Sequence, residues 1–285
     1  MLRRMEIPIV DLSREFKESE SDFIEIFKRV GRSGTYVGGK EVEDFETAFA
    51  NHCSVPFANT CGNASDGLEI CLKAAGVSAG DEVITAANSF ISSAGSIASL
   101  GAIPVLADIR DDLNIDPDSI EENLTTKTKA IMPVHLTGRP AEMDPIIKIA
   151  EKHSLLVIED AAQAVGAKYK GKPVGSLGDF ASFSLHPLKN LHVYGDGGVI
   201  TTKSRTLHDF MQKYKNHGLR DRDMSVFWGR NSRLDAFHAA IASYKLKKIE
   251  EINARFREVA KIYTDELGGL LKVPIEKPTE YSVYH

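Results

Sequence analysis

Cysteine is scarce in this chain, and the few cysteines form no recognisable pattern. The 285 residues include three of them, Cys53, Cys61 and Cys71, an odd number without the spacing of a zinc site. A disulfide-held scaffold needs paired cysteines, and a structural zinc site needs closely spaced ligands. We therefore expect no disulfide framework and no metal site, and thiols that are reduced and mostly buried.

An excess of basic residues is missing as well. The chain has 35 Lys and Arg against 40 Asp and Glu, a formal net charge of -5. Nucleic-acid-binding proteins usually carry a basic excess or a basic stripe, so this class is not favoured. No apolar run approaches the length of a membrane span, and the first eight residues hold two arginines but no apolar signal region. These features predict a cytoplasmic protein without nucleic-acid or membrane partners.

Two widespread catalytic motifs are also absent: the phosphate-loop lysine motif and the dinucleotide fingerprint after a strand. The chain does have enough apolar residues, 42% of the total, for a large core. Short apolar runs at 82–85, 103–107, 129–134 and 155–160 alternate with segments of helical periodicity. This alternation predicts an α/β fold with a mostly parallel sheet covered by helices.

Lys189 and Asp160 point to a specific chemistry. Lys189 follows Pro187 and precedes a glycine-rich stretch, so it should lie on a loop. Asp160 ends an apolar run, which places its carboxylate at the carboxyl end of a buried strand, where open α/β sheets bind ligands. A lysine that can form an imine and a carboxylate that can keep a pyridinium nitrogen protonated are the minimum for pyridoxal phosphate chemistry. The alternatives are a solvated surface lysine and a helix N-cap.

A helix should begin near Ser65, because apolar residues recur at helical spacing after it. The N-terminus of such a helix is a natural phosphate site, although the same residues could simply cap the helix.

Towards the end of the chain, the pattern after Arg233 predicts a long helical stretch to about residue 270, with a solvated charged face at 245–251. The alternating segment 280–285 is strand-like but has no evident pairing partner. We therefore expect a second, small domain that is cut short.

Several motifs in this order resemble the DegT-type aminotransferases, also called the DnrJ or StrS group. They occupy residues 36–46, 80–90, 133–144, 158–163, 183–198, 216–218 and 231–234. The resemblance covers nearly the whole chain and implies a fold type I pyridoxal phosphate (PLP) enzyme with a seven-stranded, mostly parallel sheet. It further implies a large domain at 1–240, and a linking helix with the start of a truncated small domain at 241–285.

The resemblance also implies roles for individual residues. Lys189 would form the internal aldimine with PLP, Asp160 would pair with the pyridine nitrogen, and Gln163 would lie near the phenolic oxygen. Phe90 would stack on the pyridine ring, although its apolar segment also suits a core phenylalanine. The other implied positions are the phosphate contacts Ala64, Ser65 and Ser184, the substrate-side residues Tyr36 and His186, and Asn231, which the neighbouring subunit of a homodimer would contribute.

Structural roles stay open for several of these residues. Ser184 could be a strand hydroxyl bonded to the main chain, and Asn231 a turn or cap residue before a helix. His186 and His135 could both be structural histidines, and only His186 is expected at the substrate face.

Two positions depart from the family pattern. Ala64-Ser65 stands where Gly-Thr is usual, so the chain gives up glycine's access to positive φ but keeps a hydroxyl. Thr137 stands where an aromatic residue is common, which alters the sugar side of the site.

The reaction implied by the resemblance is a transamination from glutamate to the keto group of a nucleotide-diphosphate sugar, for amino-sugar biosynthesis. A second hypothesis is a non-catalytic or regulatory PLP-binding relic, suggested by the abrupt C-terminus and by Ala64. Sugar dehydration is disfavoured because dehydratases of the family replace the lysine with histidine, whereas Lys189 is present here. An ordinary α/β binding protein would bind no PLP and would be colourless.

Overall fold

The computed structural model describes residues 10–273 and 276–284. The helices are α1 Leu12–Glu18, α2 Glu20–Ser33, α3 Lys40–His52, α4 Ala64–Ala74, α5 Ile91–Ala98, α6 Pro117–Glu122, α7 Met143–His153, α8 Arg205–Tyr214, α9 Ala236–Leu246 and α10 Ile249–Leu267, with a 3₁₀ turn at Leu136–Gly138. The strands are β1 Phe57–Cys61, β2 Glu82–Ala86, β3 Ile103–Ala107, β4 Thr128–Met132, β5 Leu156–Asp160, β6 Lys168–Tyr169, β7 Lys172–Pro173, β8 Phe180–Ser184, β9 Gly198–Thr202, β10 Leu219–Asp221, β11 Met224–Ser225 and β12 Glu280–Tyr281.

The central sheet has seven strands in the order β1-β9-β8-β5-β4-β2-β3. Strand β9 runs antiparallel to both of its neighbours, and the remaining neighbours are parallel. The predicted mostly parallel, seven-stranded sheet is therefore confirmed, and the four predicted apolar runs are β2 to β5.

Side chains alternate between the two faces of the sheet, as the pleat of a strand requires. Ile158 of β5 and Phe180 of β8 belong to the core that contains Leu68 of α4. Val157, one position earlier in β5, belongs to the core on the other face, with Ile146 of α7. Asp160, two residues after Ile158, therefore faces the side of α4 and α5.

The helical stretch after Arg233 is two helices, α9 and α10, separated at Lys247 and Lys248. The prediction of a solvated charged face is wrong for Lys245, which is 3% exposed. Its Nζ lies 2.7 Å from Oε1 of Glu15 in α1, because α9 is covered by the N-terminal helices. The ion pair lets this lysine be buried.

The segment near the end of the chain does find a partner, so the expectation of an unpaired strand is wrong. Strand β12 pairs antiparallel with β6, and the N–H of Val283 donates to the carbonyl of Gly138. The side chains of Arg139 and Glu280 form a buried ion pair, with 2.9 Å between Nη2 and Oε2. The division at residue 240, which lies within α9, and the truncated small domain stay predictions.

Residues 1–9, and with them the arginines of the N-terminal segment, lie outside the described residues, as does residue 285. In the described part of the chain, no helix is both long and apolar enough to span a bilayer. Within residues 10–273 and 276–284, no three His, Cys, Asp or Glu side chains are grouped so that they could hold a metal ion.

Candidate active site

A cavity of about 380 Å³ opens at the carboxyl ends of β5 and β8, beside the N-termini of α4 and α5. Its lining is Asn63, Ala64, Ser65, Phe90, Ser92, Val134, Leu136, Asp160, Ala162, Gln163, Ser184, His186, Leu188, Lys189 and Asp196. Eight of the residues singled out from the sequence thus meet in one place, which is where ligands bind in folds of this kind.

The carboxylate of Asp160 is buried and held from two sides. Its Oδ2 accepts a hydrogen bond of 2.7 Å from the hydroxyl of Ser93, and its Oδ1 accepts one of 3.2 Å from the N–H of Ala162. Burial raises the pKa of Asp160, while these two hydrogen bonds and the nearby His135 and Lys189 lower it. The residues after Asp160 form turns rather than a helix, so the N-cap alternative is wrong.

Lys189 lies on the loop after β8 and is half-buried, which rules out the alternative of a solvated surface lysine. Its N–H donates to the carbonyl of His186 at 2.8 Å. Burial lowers the pKa of Lys189, and the charge of Asp160 opposes this effect. No ion pair within 4 Å involves its ammonium among the described residues. The neutral, reactive form of the amine is therefore more favoured in Lys189 than in a solvent-exposed lysine.

The N-terminus of α4 offers two main-chain donors. Asn63 caps the helix, with its side chain accepting from the N–H of Asp66 at 2.8 Å. No hydrogen bond within the described chain uses the N–H of Ala64 or Ser65, which point out of the first turn as helix geometry requires. Ala64 is an ordinary helical residue without positive φ, so its replacement of glycine causes no strain here.

Gln163 and Phe90 both line the cavity. Oε1 of Gln163 accepts a 2.6 Å hydrogen bond from the N–H of Thr137, which sits at φ 53° in the 3₁₀ turn. Phe90 is 72% exposed, so the alternative of a core phenylalanine is wrong. An aromatic face of that size, held at the start of α5, is available for stacking.

Ser184 and His186 follow each other at the end of β8. The hydroxyl of Ser184 accepts from the N–H of His186 at 3.2 Å, and Nδ1 of His186 accepts from the N–H of Leu188. With Nδ1 engaged, the exposed ring of His186 has Nε2 for other contacts.

His135 is a structural histidine. Its Nε2 lies 3.0 Å from Oε2 of Glu159, and its Nδ1 accepts from the N–H of Ala141. Glu159, which is fully buried, also accepts from the N–H groups of Gly175, Leu177 and Gly178. Sequence reasoning missed Glu159, although its place beside Asp160 in a buried strand with strict alternation was a usable signal.

Two of the implied residues lie away from the cavity of this chain. Tyr36 is 52% exposed and stacks on Phe237, with 5.8 Å between ring centroids. Asn231 is exposed and forms an isolated bridge with Asn216. Because the next helix begins only at Ala236 and is capped by Asp235, the reading of Asn231 as a helix cap is wrong. The serines at the start of α5, Ser92 and Ser93, were not predicted, since hydroxyls in an apolar helix carry no distinct pattern.

Known proteins match both the sequence and this geometry. A model of the DegT/DnrJ/EryC1/StrS aminotransferase family matches residues 17–285. The chain belongs to this family. It is an aminotransferase that uses PLP, as enzymes of the family do.

Similar proteins cover almost all of the chain. A Geobacillus stearothermophilus protein named pleiotropic regulatory protein is 42% identical over 99% of this chain and 77% of its own length. A dTDP-3-amino-3,6-dideoxy-alpha-D-galactopyranose transaminase of Aneurinibacillus thermoaerophilus is also 42% identical, over 98% of this chain and 77% of its own. The crystal structure of S. venezuelae DesV in complex with a ketimine intermediate has a TM-score of 0.95 at 35% identity, and covers 98% of this chain and 76% of that one.

The residues of the cavity fit the cofactor. PLP carries a phosphate, a ring nitrogen and an aldehyde carbon, and the cavity presents free helix N-terminal N–H groups, a buried carboxylate and a half-buried amine. The exposed ring of Phe90 adds a flat apolar surface.

Proposed function

We propose that the enzyme transfers an amino group from glutamate to a keto group of a nucleotide-diphosphate sugar, in the cytoplasm and for amino-sugar biosynthesis. The observation that carries the proposal is the meeting of Asp160, Lys189 and the free N–H groups of α4 in one cavity. The sugar assignment is supported by relatives named as transaminases of dTDP-linked sugars, at up to 42% identity.

Five of the residues that would hold the cofactor would contact its phosphate, its ring face or its ring nitrogen. The N–H groups of Ala64 and Ser65, with the hydroxyl of Ser184, would bind the phosphate, and Phe90 would stack on the ring. Asp160, as an anion, keeps the ring nitrogen protonated. PLP bound in this way supplies an electron sink for a proton lost from the substrate carbon.

Gln163 completes the ring contacts from the side of the 3₁₀ turn. Its Oε1 is engaged by Thr137, so its amide nitrogen remains to donate to the phenolic oxygen. His186 and Tyr36 are the proposed substrate-side residues, of which His186 lines the cavity of this protomer.

Lys189 would hold the cofactor and would also move a proton. With substrate bound, its Nζ would take a proton from the substrate carbon and later return it. The lowered pKa of Lys189, caused by burial, keeps a larger neutral fraction of the amine for this task.

We further propose a homodimer in which Asn231 of one subunit reaches the phosphate of the other. Asn231 is exposed and lies outside the cavity of its own chain. Trp228, three residues earlier, is 97% exposed, and an indole in water is a usual mark of a protein interface.

A regulatory PLP-binding protein is the second candidate. It is favoured by the name of the Geobacillus stearothermophilus relative, pleiotropic regulatory protein. Such a protein would use the same cofactor contacts but would not turn over an amino donor.

The visible absorption spectrum of the protein reconstituted with PLP separates these candidates. For the aminotransferase, adding glutamate removes the visible band of the Lys189-linked cofactor and produces the band of its amine form. A band that glutamate and other amino acids leave unchanged would support the regulatory candidate. The Lys189→Ala variant, which should show no borohydride-stable cofactor, is the control.

A further inference from the structure

His192 connects the N-terminal helix to the lysine loop. Its Nδ1 is 2.7 Å from the main-chain carbonyl oxygen of Lys189, and its Nε2 is 2.7 Å from Oε2 of Glu15 in α1. The histidine side chain is 11% exposed, so water competes little for these contacts. Neither His192 nor Glu15 is among the residues that line the cavity.

Both ring nitrogens of His192 lie against hydrogen-bond acceptors. A carbonyl oxygen only accepts, so Nδ1 carries a proton. Burial raises the pKa of Glu15, but hydrogen bonds from His192 and Lys245 outweigh it and lower the pKa to about 2, so Glu15 is a carboxylate and also accepts. Each ring nitrogen of His192 therefore has its own acceptor. Lys245, the other partner of Glu15, lies over the ring of Tyr194 at 4.6 Å.

The bond from His192 completes the restraint of the lysine's main chain. The N–H of Lys189 donates to His186, and its carbonyl accepts from His192. The side chain of the next residue, Asn190, donates to the carbonyl of Val165 at 2.7 Å. With the peptide groups on both sides of its Cα held, Lys189 extends its amine from a fixed point.

We propose that Glu15 and His192 are positioning residues for Lys189: Glu15 orients the imidazole ring of His192, and the Nδ1–H of that ring holds the carbonyl of Lys189. Helix α1 thereby sets the point from which the reacting amine reaches toward Asp160. The proposal rests on the role of Lys189 proposed above. The two residues act on Lys189 through its main chain. Small displacements matter at such a site, because moving a reacting group by about 1 Å can slow a reaction by about 100-fold.

Three substitutions of His192 separate its two hydrogen bonds. His192→Asn places an amide N–H near the position of Nδ1, so it keeps the bond to Lys189 and loses the bond to Glu15. His192→Gln places its amide near the position of Nε2, so it keeps the bond to Glu15 and loses the bond to Lys189. His192→Ala loses both.

Two measurements follow on these variants. In the protein without cofactor, hydrogen exchange of the amides at 189–193 should be about tenfold faster in the Ala and Gln variants than in wild type, and close to wild type in Asn. In the reconstituted enzyme, kcat should fall about tenfold in the His192→Ala and His192→Gln variants, with KM little changed. The His192→Asn variant should largely retain the wild-type kcat.

The Glu15→Ala variant tests whether Glu15 acts on Lys189 through His192. It should lower kcat in the wild-type background but have no further effect in His192→Asn, where the amide no longer depends on Glu15. Asp22→Asn is the matched control: it removes the carboxylate that accepts from the hydroxyl of Tyr244, also between the N-terminal helices and α9 but without a link to Lys189.

The proposal is overturned if hydrogen exchange and kcat in the His192→Asn variant match those in His192→Ala. It is also overturned if all the variants lose thermal stability while hydrogen exchange at 189–193 and kcat stay at wild-type values. A wild-type protein that forms no covalent link with PLP would instead overturn the proposed role of Lys189. Hydrogen exchange, which needs no cofactor, would still decide whether Glu15 and His192 hold the loop.

Discussion

At the scale of the residue, the hydroxyl of Ser93 helps to keep Asp160 ionised. Burial alone raises the pKa of this carboxyl, and the 2.7 Å hydrogen bond from Ser93 is the largest effect that lowers it. Since the ring nitrogen of PLP needs an anionic partner, the strength of this bond sets how far activity extends into acid.

Ser93→Ala should therefore move the acid limb of the kcat–pH profile to higher pH. Removing a bond to the charged form raises the pKa of Asp160, so the carboxylate is protonated at a higher pH than in wild type. Ser96→Ala is the control, because its buried hydroxyl bonds only the carbonyl of Ser93 in the same helix. An unchanged acid limb in Ser93→Ala would show that Asp160 does not control it.

Glu15→Gln should remove a pH-dependent part of the stability. The pKa of Glu15 falls from 4.5 to about 2 on folding, so its ionised form stabilises the native state above pH 4.5. This contribution is lost as the pH falls from 4.5 towards 2. The Tm difference between wild type and Glu15→Gln should be largest above pH 4.5 and disappear near pH 2, whereas Glu18→Gln on the exposed face of α1 should show no such trend.

Single residues were predictable from sequence when their neighbours along the chain restrict them. Lys189 beside Pro187, and Asp160 at the end of an apolar run, are of this kind. His192 and Glu15 are not, because their contact joins residues 177 positions apart and no local pattern encodes it. Lys245 was misjudged for the same reason, since a charge in a helical pattern looks solvated until its partner is known.

At the scale of the element, the cap of α4 stabilises the helix, and under the proposed function it also orients the donors for the cofactor's phosphate. Asn63→Ala should cost about 1 kcal/mol of stability, because the N–H of Asp66 loses its acceptor. It should also weaken PLP retention, since the adjacent N–H groups of Ala64 and Ser65 lose their fixed direction.

Ser204→Ala is the matched control, because Ser204 caps α8 in the same way but does not line the cavity. It should lower Tm by a similar amount and leave PLP binding, measured by equilibrium dialysis, unchanged. Equal retention of PLP by both variants would argue against a phosphate site at α4.

Elements were predictable where apolar residues dominate them. Strands β2 to β5 follow directly from such runs. Strands β1, β8 and β9 contain buried Asn59, Ser182 and Thr201 among others, and these polar residues dilute the pattern although the strands are as buried as their neighbours. Strand β12 has only two residues, and its pairing with β6 depends on a fold already formed.

At the scale of the whole molecule, the proposed homodimer makes a subunit-mixing prediction. Lys189→Ala and Asn231→Ala should each be inactive or nearly so. Unfolded and refolded together in equal amounts, they should recover about a quarter of wild-type activity, because half of the dimers are mixed and each has one intact site of two. Recovery of no activity would place both residues in the same subunit's site.

The architecture of the sheet was predictable from the alternation of runs, whereas the assembly was suggested only by resemblance. A single chain shows which residues are exposed, such as Trp228, but exposure alone does not say what covers them. The role proposed for Asn231 therefore concerns two chains, and the subunit-mixing experiment tests it directly.

The three free cysteines give this protein its own reporters of partial opening. Cys53 is buried in the core on one face of the sheet, and Cys61 and Cys71 are buried in the core on the other. Burial raises the pKa of all three thiols, so a thiol reagent reacts only after a layer has opened. Identifying by mass spectrometry which cysteine is modified first would reveal which layer of helices leaves the sheet first, without any introduced label.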